Sequence, residues 1–64
     1  MNLKYQVGQR VRILYDDRSA LFGEIESVTV RRDEKKRISL AYIVRTDQGW
    51  MIGGLPETVL EVAR

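Results

Sequence analysis

The chain has 64 residues, enough for a single domain, and it contains neither cysteine nor histidine. Disulfides are therefore excluded, and the usual Cys and His ligands of a zinc site are missing. No apolar run approaches the about 20 residues of a membrane-spanning helix, and the first residues lack the apolar core of a secretory signal. These features predict a soluble, cytoplasmic protein with no membrane partner.

The basic excess of the chain is concentrated in one segment. The net charge is +2, and residues 31–37, of sequence RRDEKKR, carry five bases and two acids. The other 57 residues carry six bases and seven acids, so their net charge is −1. A protein that mainly grips a phosphate backbone usually spreads its bases over a face or a groove, which this chain does not do.

The first strand is predicted within residues 7–14, which open with a glycine turn and then alternate. Val11 and Ile13 point to one side, while Arg10 and Arg12 point to the other. This period of two is typical of a half-buried strand.

Residues 15–20 are polar and predict a loop, and the second strand is predicted within residues 23–32. Its β-branched residues favour a pleated surface. Ile25 and Val28 are three residues apart instead of two, which breaks the alternation. A bulge near residues 26–27 would turn both side chains inward.

Residues 38–45 predict a third strand that is central and well covered. The face that should meet the core carries Ile38, Leu40, Tyr42 and Val44. Ala41 and Ile43 make the opposite face apolar too, which is typical of a strand covered on both sides.

The C-terminal third of the chain predicts short elements. Residues 47–49 (Asp-Gln-Gly) indicate a tight turn with Gly49 at positive φ, and residues 50–52 indicate a fourth strand that Gly53 and Gly54 then interrupt.

The last two predicted elements follow Leu55. Residues 55–59 contain a proline near their start and are too few for a stable α-helix, so they predict a single 3₁₀ turn. Residues 60–62 predict a fifth strand. Since no window sustains the 3.6-residue period, the fold class is predicted to be all-β.

The succession of motifs covers nearly the whole chain. In order, it comprises Gly8 with Arg-Val-Arg-Ile at 10–13, Gly23-x-Ile25-x-x-Val28, a long hairpin, a short strand after Asp-Gln-Gly, a 3₁₀ turn, and Leu60-Glu61-Val62. This order resembles the SH3-like small β-barrels, including the Tudor and KOW types and the small barrel protein of photosystem I. The resemblance implies one five-stranded antiparallel SH3-like barrel over residues 1–64, a fold that binds proteins, RNA or DNA, or supports a larger assembly.

The opening is also similar to that of the plasmid-borne type II dihydrofolate reductases, which are tetrameric SH3-like barrels. A Val-Gln-Ile-Tyr segment lines the active pore of that family, and the comparable place here reads Gly49-Trp50-Met51-Ile52. The family's basic pair after the first strand is replaced by Ile13 and Leu14. These departures, and the lack of a convergent acid–base set, predict no enzyme, no catalytic or metal-binding residue, no cofactor and no small-molecule substrate.

The charged segment 31–37 has two interpretations. As a solvated hairpin tip it keeps the loop hydrated and protects the long strands from pairing with neighbours. The acids Asp33 and Glu34 at its centre favour this interpretation. As a nucleic-acid contact, it would act through Arg31, Arg32, Lys35, Lys36 and Arg37, together with Arg45.

The outward arginines of the first strand, Arg10 and Arg12, predict a face of the sheet that does not bind a partner. If the first two strands pair, Glu24 and Glu26 lie on the neighbouring strand and are expected to neutralise them.

Five aromatic residues supply the candidate anchors for a partner. Phe22 and Tyr42 fit the core. Tyr15 and Trp50 are predicted to meet at one rim and bind a protein, because Trp and Tyr often anchor interfaces. The alternative is that Trp50 is the largest core residue.

The predicted function is a non-catalytic binding or adaptor module. Its partner is expected to be another protein, met through the aromatic rim or an exposed strand edge, or a second copy in a homo-oligomer. The alternative is weak RNA or DNA binding through the basic hairpin Arg31–Arg37.

Overall fold

The structure, a computed structural model, describes residues 4–14 and 20–63. Its elements are β1 (Arg10–Leu14), β2 (Ala20–Arg32), β3 (Ile38–Thr46), β4 (Met51–Leu55), the 3₁₀ turn η1 (Glu57–Val59) and β5 (Leu60–Val62). All neighbouring strands are antiparallel and form one sheet in the order β4-β3-β2-β1-β5. Within this part of the chain there is no α-helix, and hence none that could cross a membrane. The predictions of an all-β fold, five antiparallel strands and one 3₁₀ turn are confirmed.

The long strand β2 links the two sides of the sheet. Its register with β3 shifts between Ile25 and Ser27, so Glu26 is an extra residue in the ladder. This bulge returns Val28 to the core side, where it packs against the buried cluster. The bulge predicted from the spacing of apolar residues is confirmed.

The core lies on one face of the sheet. Its buried residues are Tyr5, Val11, Ile13, Ile25, Tyr42, Val44 and Leu60. In β1, the exposed Arg10 and the half-buried Arg12 alternate with the buried Val11 and Ile13, as the period of two predicts. β3 has the most buried side chains among the described strands, as predicted, although the middle position in the sheet belongs to β2.

Phe22 does not pack in the core, so this prediction is wrong. It lies opposite Arg12 in the register of β1 and β2, and its side chain is 43% exposed. Because alternate side chains point to opposite faces, the outward position of Arg12 also places Phe22 outward. The aromatic place in the core belongs instead to Tyr5, which the sequence did not single out.

Tyr5 and Tyr42 form an edge-to-face pair at the centre of the core. Their ring centroids are 5.6 Å apart and the rings are inclined by 78°. The Tyr5 hydroxyl donates a hydrogen bond of 2.8 Å to the carbonyl oxygen of Leu60, which ties the N-terminal segment to β5. The Tyr42 hydroxyl is buried without a hydrogen-bond partner among the described residues.

Three glycines correct or extend the sequence prediction. Gly53 and Gly54 lie inside β4, so the predicted break at this point is wrong; Gly54 has a φ of +70° where the register with β3 shifts. Gly23 is buried, and a Cβ there would lie 2.4 Å from the carbonyl oxygen of Arg45. Only glycine allows β2 and β3 to approach this closely.

Candidate binding surfaces

One end of the sheet is formed by the turn between β3 and β4. The Thr46 N–H donates to the Trp50 carbonyl oxygen at 2.7 Å, and the Gly49 N–H donates to the Thr46 carbonyl oxygen at 2.9 Å. Gly49 has a φ of +93°, so the predicted tight turn and its glycine conformation are confirmed. The Trp50 N–H also lies 3.1 Å from the Thr46 hydroxyl oxygen.

Trp50 is held at this turn with its side chain in solvent. It is 62% exposed, and the adjacent Met51 is exposed as well. The alternative that Trp50 is a core residue is therefore wrong, because Tyr5 and Tyr42 fill that place. Trp50 instead has the exposure that an interface anchor requires.

The predicted partner of Trp50 in the aromatic rim, Tyr15, lies outside the described residues. The strand ends that flank it, Leu14 and Ala20, are paired with each other in the sheet. They lie at the same end as the β3–β4 turn, because the Asp47 N–H donates to the Phe22 carbonyl oxygen at 2.9 Å. The meeting of Tyr15 and Trp50 stays a prediction that the sheet topology permits.

The opposite surface is the tip of the β2–β3 hairpin, which Asp33 organises. Its Oδ1 accepts hydrogen bonds from the N–H groups of Lys35 and Arg37, each at 2.9 Å, and its Oδ2 accepts from Arg37 Nε at 3.1 Å. The Lys36 N–H donates to the Asp33 carbonyl oxygen at 3.0 Å, and Lys36 has a φ of +61°. Residues 33–37 thus form a hydrogen-bonded loop at the tip of the hairpin.

All seven residues of the charged segment 31–37 are exposed. Arg37 forms an ion pair with Asp33, which both holds the turn and cancels one charge. Within residues 4–14 and 20–63, no carboxylate lies within ion-pair distance of the remaining hairpin bases, Arg31, Arg32, Lys35 and Lys36. This arrangement suits either a solvated tip or a contact with an anionic partner.

The outer face of the sheet between these two ends is neutralised by ion pairs. Arg10 donates to both carboxylate oxygens of Asp47, at 3.1 and 2.9 Å, and Arg12 donates to Glu61 at 2.8 Å. Both arginines are neutralised by acids, as expected, but their partners are not Glu24 and Glu26. Although Arg10 lies opposite Glu24 in register, its long side chain reaches past β2 to a carboxylate that it can bind with both nitrogens.

The Arg10–Asp47 pair shifts the protonation of both groups. The hydrogen bonds from Arg10 lower the pKa of the Asp47 carboxyl below its ordinary value. The hydrogen bonds to Asp47, and the charge of that carboxylate, raise the pKa of the Arg10 guanidinium. Both groups therefore stay charged at neutral pH.

Arg45 is separated from the other bases of the predicted nucleic-acid contact. It lies seven strand residues from Ile38, or about 23 Å at the usual rise of a β-strand. Its guanidinium forms an ion pair with the bulge residue Glu26 at 3.3 Å. The hairpin bases are brought together by the fold, but Arg45 is not brought to them.

An apolar surface beside the hairpin is a feature that the sequence analysis missed. Val30 lies opposite Leu40, and Arg32 lies opposite Ile38, on the face that carries the core further along the strands. Val30 is 60% exposed and Ile38 is 48% exposed. Apolar residues continue along β2 and β3 up to the charged tip, but the sequence does not show that β1 ends before it reaches them.

A groove of about 340 Å³ lies next to this surface, between the start of β3 and η1. It is lined by Ile38, Ser39, Leu40, Pro56 and Glu57. Val30 and this lining together are called the hairpin groove below.

The described residues contain no group of three or more acidic side chains arranged to hold a metal ion. The absence of a cofactor and of catalytic residues stays a prediction from the sequence.

Comparison with protein-family models, curated proteins and solved structures finds no match. The function is therefore inferred from the surfaces of this chain.

Proposed function

We propose that this chain is a small, non-catalytic binding module whose partner is another protein. The observation that carries the proposal is the exposure of Trp50, the largest side chain of the protein, on a hydrogen-bonded turn. Burying a tryptophan in a partner supplies a large apolar contact at a small loss of side-chain freedom. The adjacent Met51 is exposed too, and Tyr15 is proposed to complete the binding surface around Trp50.

The fold is proposed to be an SH3-like barrel. The bulged strand β2 pairs with β1 along its first half and with β3 across the bulge, which lets the sheet bend at Glu26. η1 contacts both β3 and β5, although these strands lie on opposite sides of β2. Contact of this kind supports a sheet that curls around its core.

Capture from a lysate of the native host, after nuclease treatment, tests the proposed function. We compare the wild-type chain with Trp50→Ser, and with Phe22→Ser as the matched control, because Phe22 is an exposed aromatic on the ion-paired face. A protein should be captured by the wild type and by Phe22→Ser, and lost with Trp50→Ser. Capture of no protein, or equal capture by all three chains, would contradict the proposal.

Nucleic-acid binding through the hairpin is the second candidate function. The observation that favours it is the set of four hairpin bases without a carboxylate partner among the described residues. A salt titration with duplex DNA and with RNA tests it, since each lost phosphate contact reduces the salt slope by about one unit. Replacement of the four bases by Gln should then flatten the salt dependence.

Self-association through a strand edge is the remaining route to a partner. β4 and β5 lie at the two edges of the sheet, and the bulge with Gly54 at positive φ distorts the β4 edge. A homo-oligomer would appear as a concentration-dependent mass in analytical ultracentrifugation.

A further inference from the structure

The hairpin groove is exposed because β2 loses a neighbour at the bulge. Up to Ile25, β2 has a neighbour on the side away from β3. β1 pairs with β2 as far as Glu24. At Ile25, the Gly8 N–H donates to the Ile25 carbonyl oxygen at 2.8 Å, and the Ile25 N–H donates to the Gln9 carbonyl oxygen at 3.0 Å. Beyond Ser27, β3 is the partner strand of β2 among the described residues. The core face therefore continues into solvent at Val30.

The groove wall contains one acid, Glu57, and bases lie toward the hairpin tip. Arg32 lies on the same face as Val30 and directly opposite Ile38, so its guanidinium is within reach of a ligand in the groove. Lys35 and Lys36 follow at the exposed tip. Arg31 points to the other face, where its terminal nitrogen lies over Gly54.

We propose that the hairpin groove binds an extended, acidic and apolar segment of a partner protein. The apolar side chains of the segment enter the groove at Ile38, Leu40 and Pro56, and its carboxylates lie against Arg32 and Lys36. The proposal rests on the function proposed above and names the chemistry of a second contact, separate from Trp50. Complementary charge would orient the segment, and the apolar contacts would provide most of its affinity.

Three other occupants fit the groove less well. A second copy of this chain would bring two hairpins into contact. Each hairpin has a net charge of +3, and the two would repel each other. A phosphate backbone has no apolar side chains and would leave the apolar lining uncovered. A bilayer surface is broad and does not fill a concave groove.

Selection from a library of random peptides, with the purified full chain as bait, tests the inference. Peptides rich in Asp and Glu interspersed with large apolar residues should be enriched. When an enriched peptide is added to ¹⁵N-labelled chain, the amide signals of Val30, Ile38 and Leu40 should shift. A matched peptide with Lys in place of each acid should bind at least about tenfold more weakly.

Two variants and their controls locate the contact. The double variant Val30→Ser with Ile38→Ser should lose the peptide and stay folded, because both side chains are exposed, while Phe22→Ser, which truncates an exposed apolar side chain on the other face, should bind normally. The double variant Arg32→Gln with Lys36→Gln should bind several-fold more weakly and with less salt dependence than Lys4→Gln, which removes an exposed base elsewhere.

Several outcomes would overturn the inference. They are no enriched peptide, enrichment of basic peptides, and equal binding of the Lys-substituted peptide. Tighter binding of RNA, DNA or phosphatidylserine vesicles to the same residues would also overturn it. If the peptide shifts only the amide signals of residues 47–51, the groove is not the binding site and the proposed function stands. If the wild-type chain binds no peptide and captures no protein, both the inference and the proposed function are rejected.

Discussion

The two halves of β2, before and after the bulge at Glu26, carry similar residues but differ in how far their side chains are buried. Ile25, in the first half, is 1% exposed, whereas Val30, in the second half, is 60% exposed. Both are β-branched residues that face the core side of the sheet, so residue type does not explain the difference. Around Ile25, β2 has β3 on one side and Gly8 and Gln9 on the other, while around Val30 it pairs with β3. Burial along β2 therefore depends on whether the strand has a neighbour on one side or on both. The first half stabilises the fold, and the second half stays exposed and accessible to a partner.

The largest effect is expected at Gly23, in the covered half. In Gly23→Ala, the added Cβ would lie 2.4 Å from the Arg45 carbonyl oxygen and 2.8 Å from Val44 Cγ1, so the two strands must separate. We expect no cooperative unfolding transition in a thermal melt followed by circular dichroism. Gly53→Ala is the control, since its Cβ would meet Ile43 Cγ1 at an ordinary 3.6 Å. A Gly23→Ala melt like that of Gly53→Ala would refute the close approach.

A pair of truncations tests the comparison itself. Ile25→Ala should lower the free energy of unfolding by roughly 2–5 kcal/mol, because it removes buried atoms and leaves a cavity. Val30→Ala should change it by less than about 0.5 kcal/mol, as is usual for an exposed site. Urea denaturation of both variants measures the difference. Equal losses would mean that the second half of β2 is covered after all.

The two core tyrosines should respond oppositely to loss of their hydroxyl groups. Tyr5→Phe removes the bond to the Leu60 carbonyl oxygen and should cost about 1 kcal/mol of unfolding free energy. Tyr42 lies opposite Val28, where the second half of β2 begins, and its buried hydroxyl has no partner among the described residues. Tyr42→Phe should be neutral or stabilising in the same urea experiment. A loss as large as that of Tyr5→Phe would indicate a partner for the Tyr42 hydroxyl.

At the tip of the uncovered half, a glycine should stabilise the hairpin. Lys36 has a φ of +61°, a conformation that costs a side-chain-bearing residue about 1 kcal/mol relative to glycine. Lys36→Gly should therefore raise the melting temperature. Lys35→Gly removes the same charge at a neighbouring position with no positive φ, and it should not raise the melting temperature. Equal effects of the two variants would assign the gain to charge.

The smallest effect should come from the ion pair that crosses the covered half. The pKa of Asp47 is lowered in the folded state, so this group stabilises the fold above its unfolded pKa and loses that contribution as pH falls through the folded pKa. Wild type should melt slightly above Asp47→Asn at pH 7, and the gap should close below about pH 4. A gap that is constant with pH would exclude the ion pair as its cause.

Local patterns in the sequence predicted much of the fold. The spacing of Ile25 and Val28 indicates the bulge, and Gly49 indicates the turn, because each depends on a few adjacent residues. The predicted ion partners of Arg10 and Arg12 were wrong for two reasons. Arg10 reaches past its register neighbour on β2 to Asp47, and Arg12 pairs with the residue opposite it on its other neighbour, β5. Phe22 was misplaced because its face is set by the pairing of β2 with β1.

The candidate sites were less accessible to sequence reasoning for a related physical cause. The sequence leaves open whether Trp50 lies in the core or on the surface. The structure decides this because Tyr5, which lies in a segment without a predicted element, fills the core. The hairpin groove could not be found from residue types, because Ile38 and Leu40 have the same pattern as the buried Tyr42 and Val44. Its exposure depends on where β1 ends relative to β2, which is a property of the assembled sheet.

Site-directed photo-crosslinking tests most directly whether the uncovered half of β2 binds a protein. A photoreactive amino acid is placed at position 30, in the second half, or at position 24, on the outer face of the first half. With nuclease-treated lysate of the native host, position 30 should give a protein adduct that a selected acidic peptide competes away, and position 24 should give none. Equal adducts at both positions, or an adduct at position 30 that the peptide leaves unchanged, would contradict the division between a folding half and a binding half.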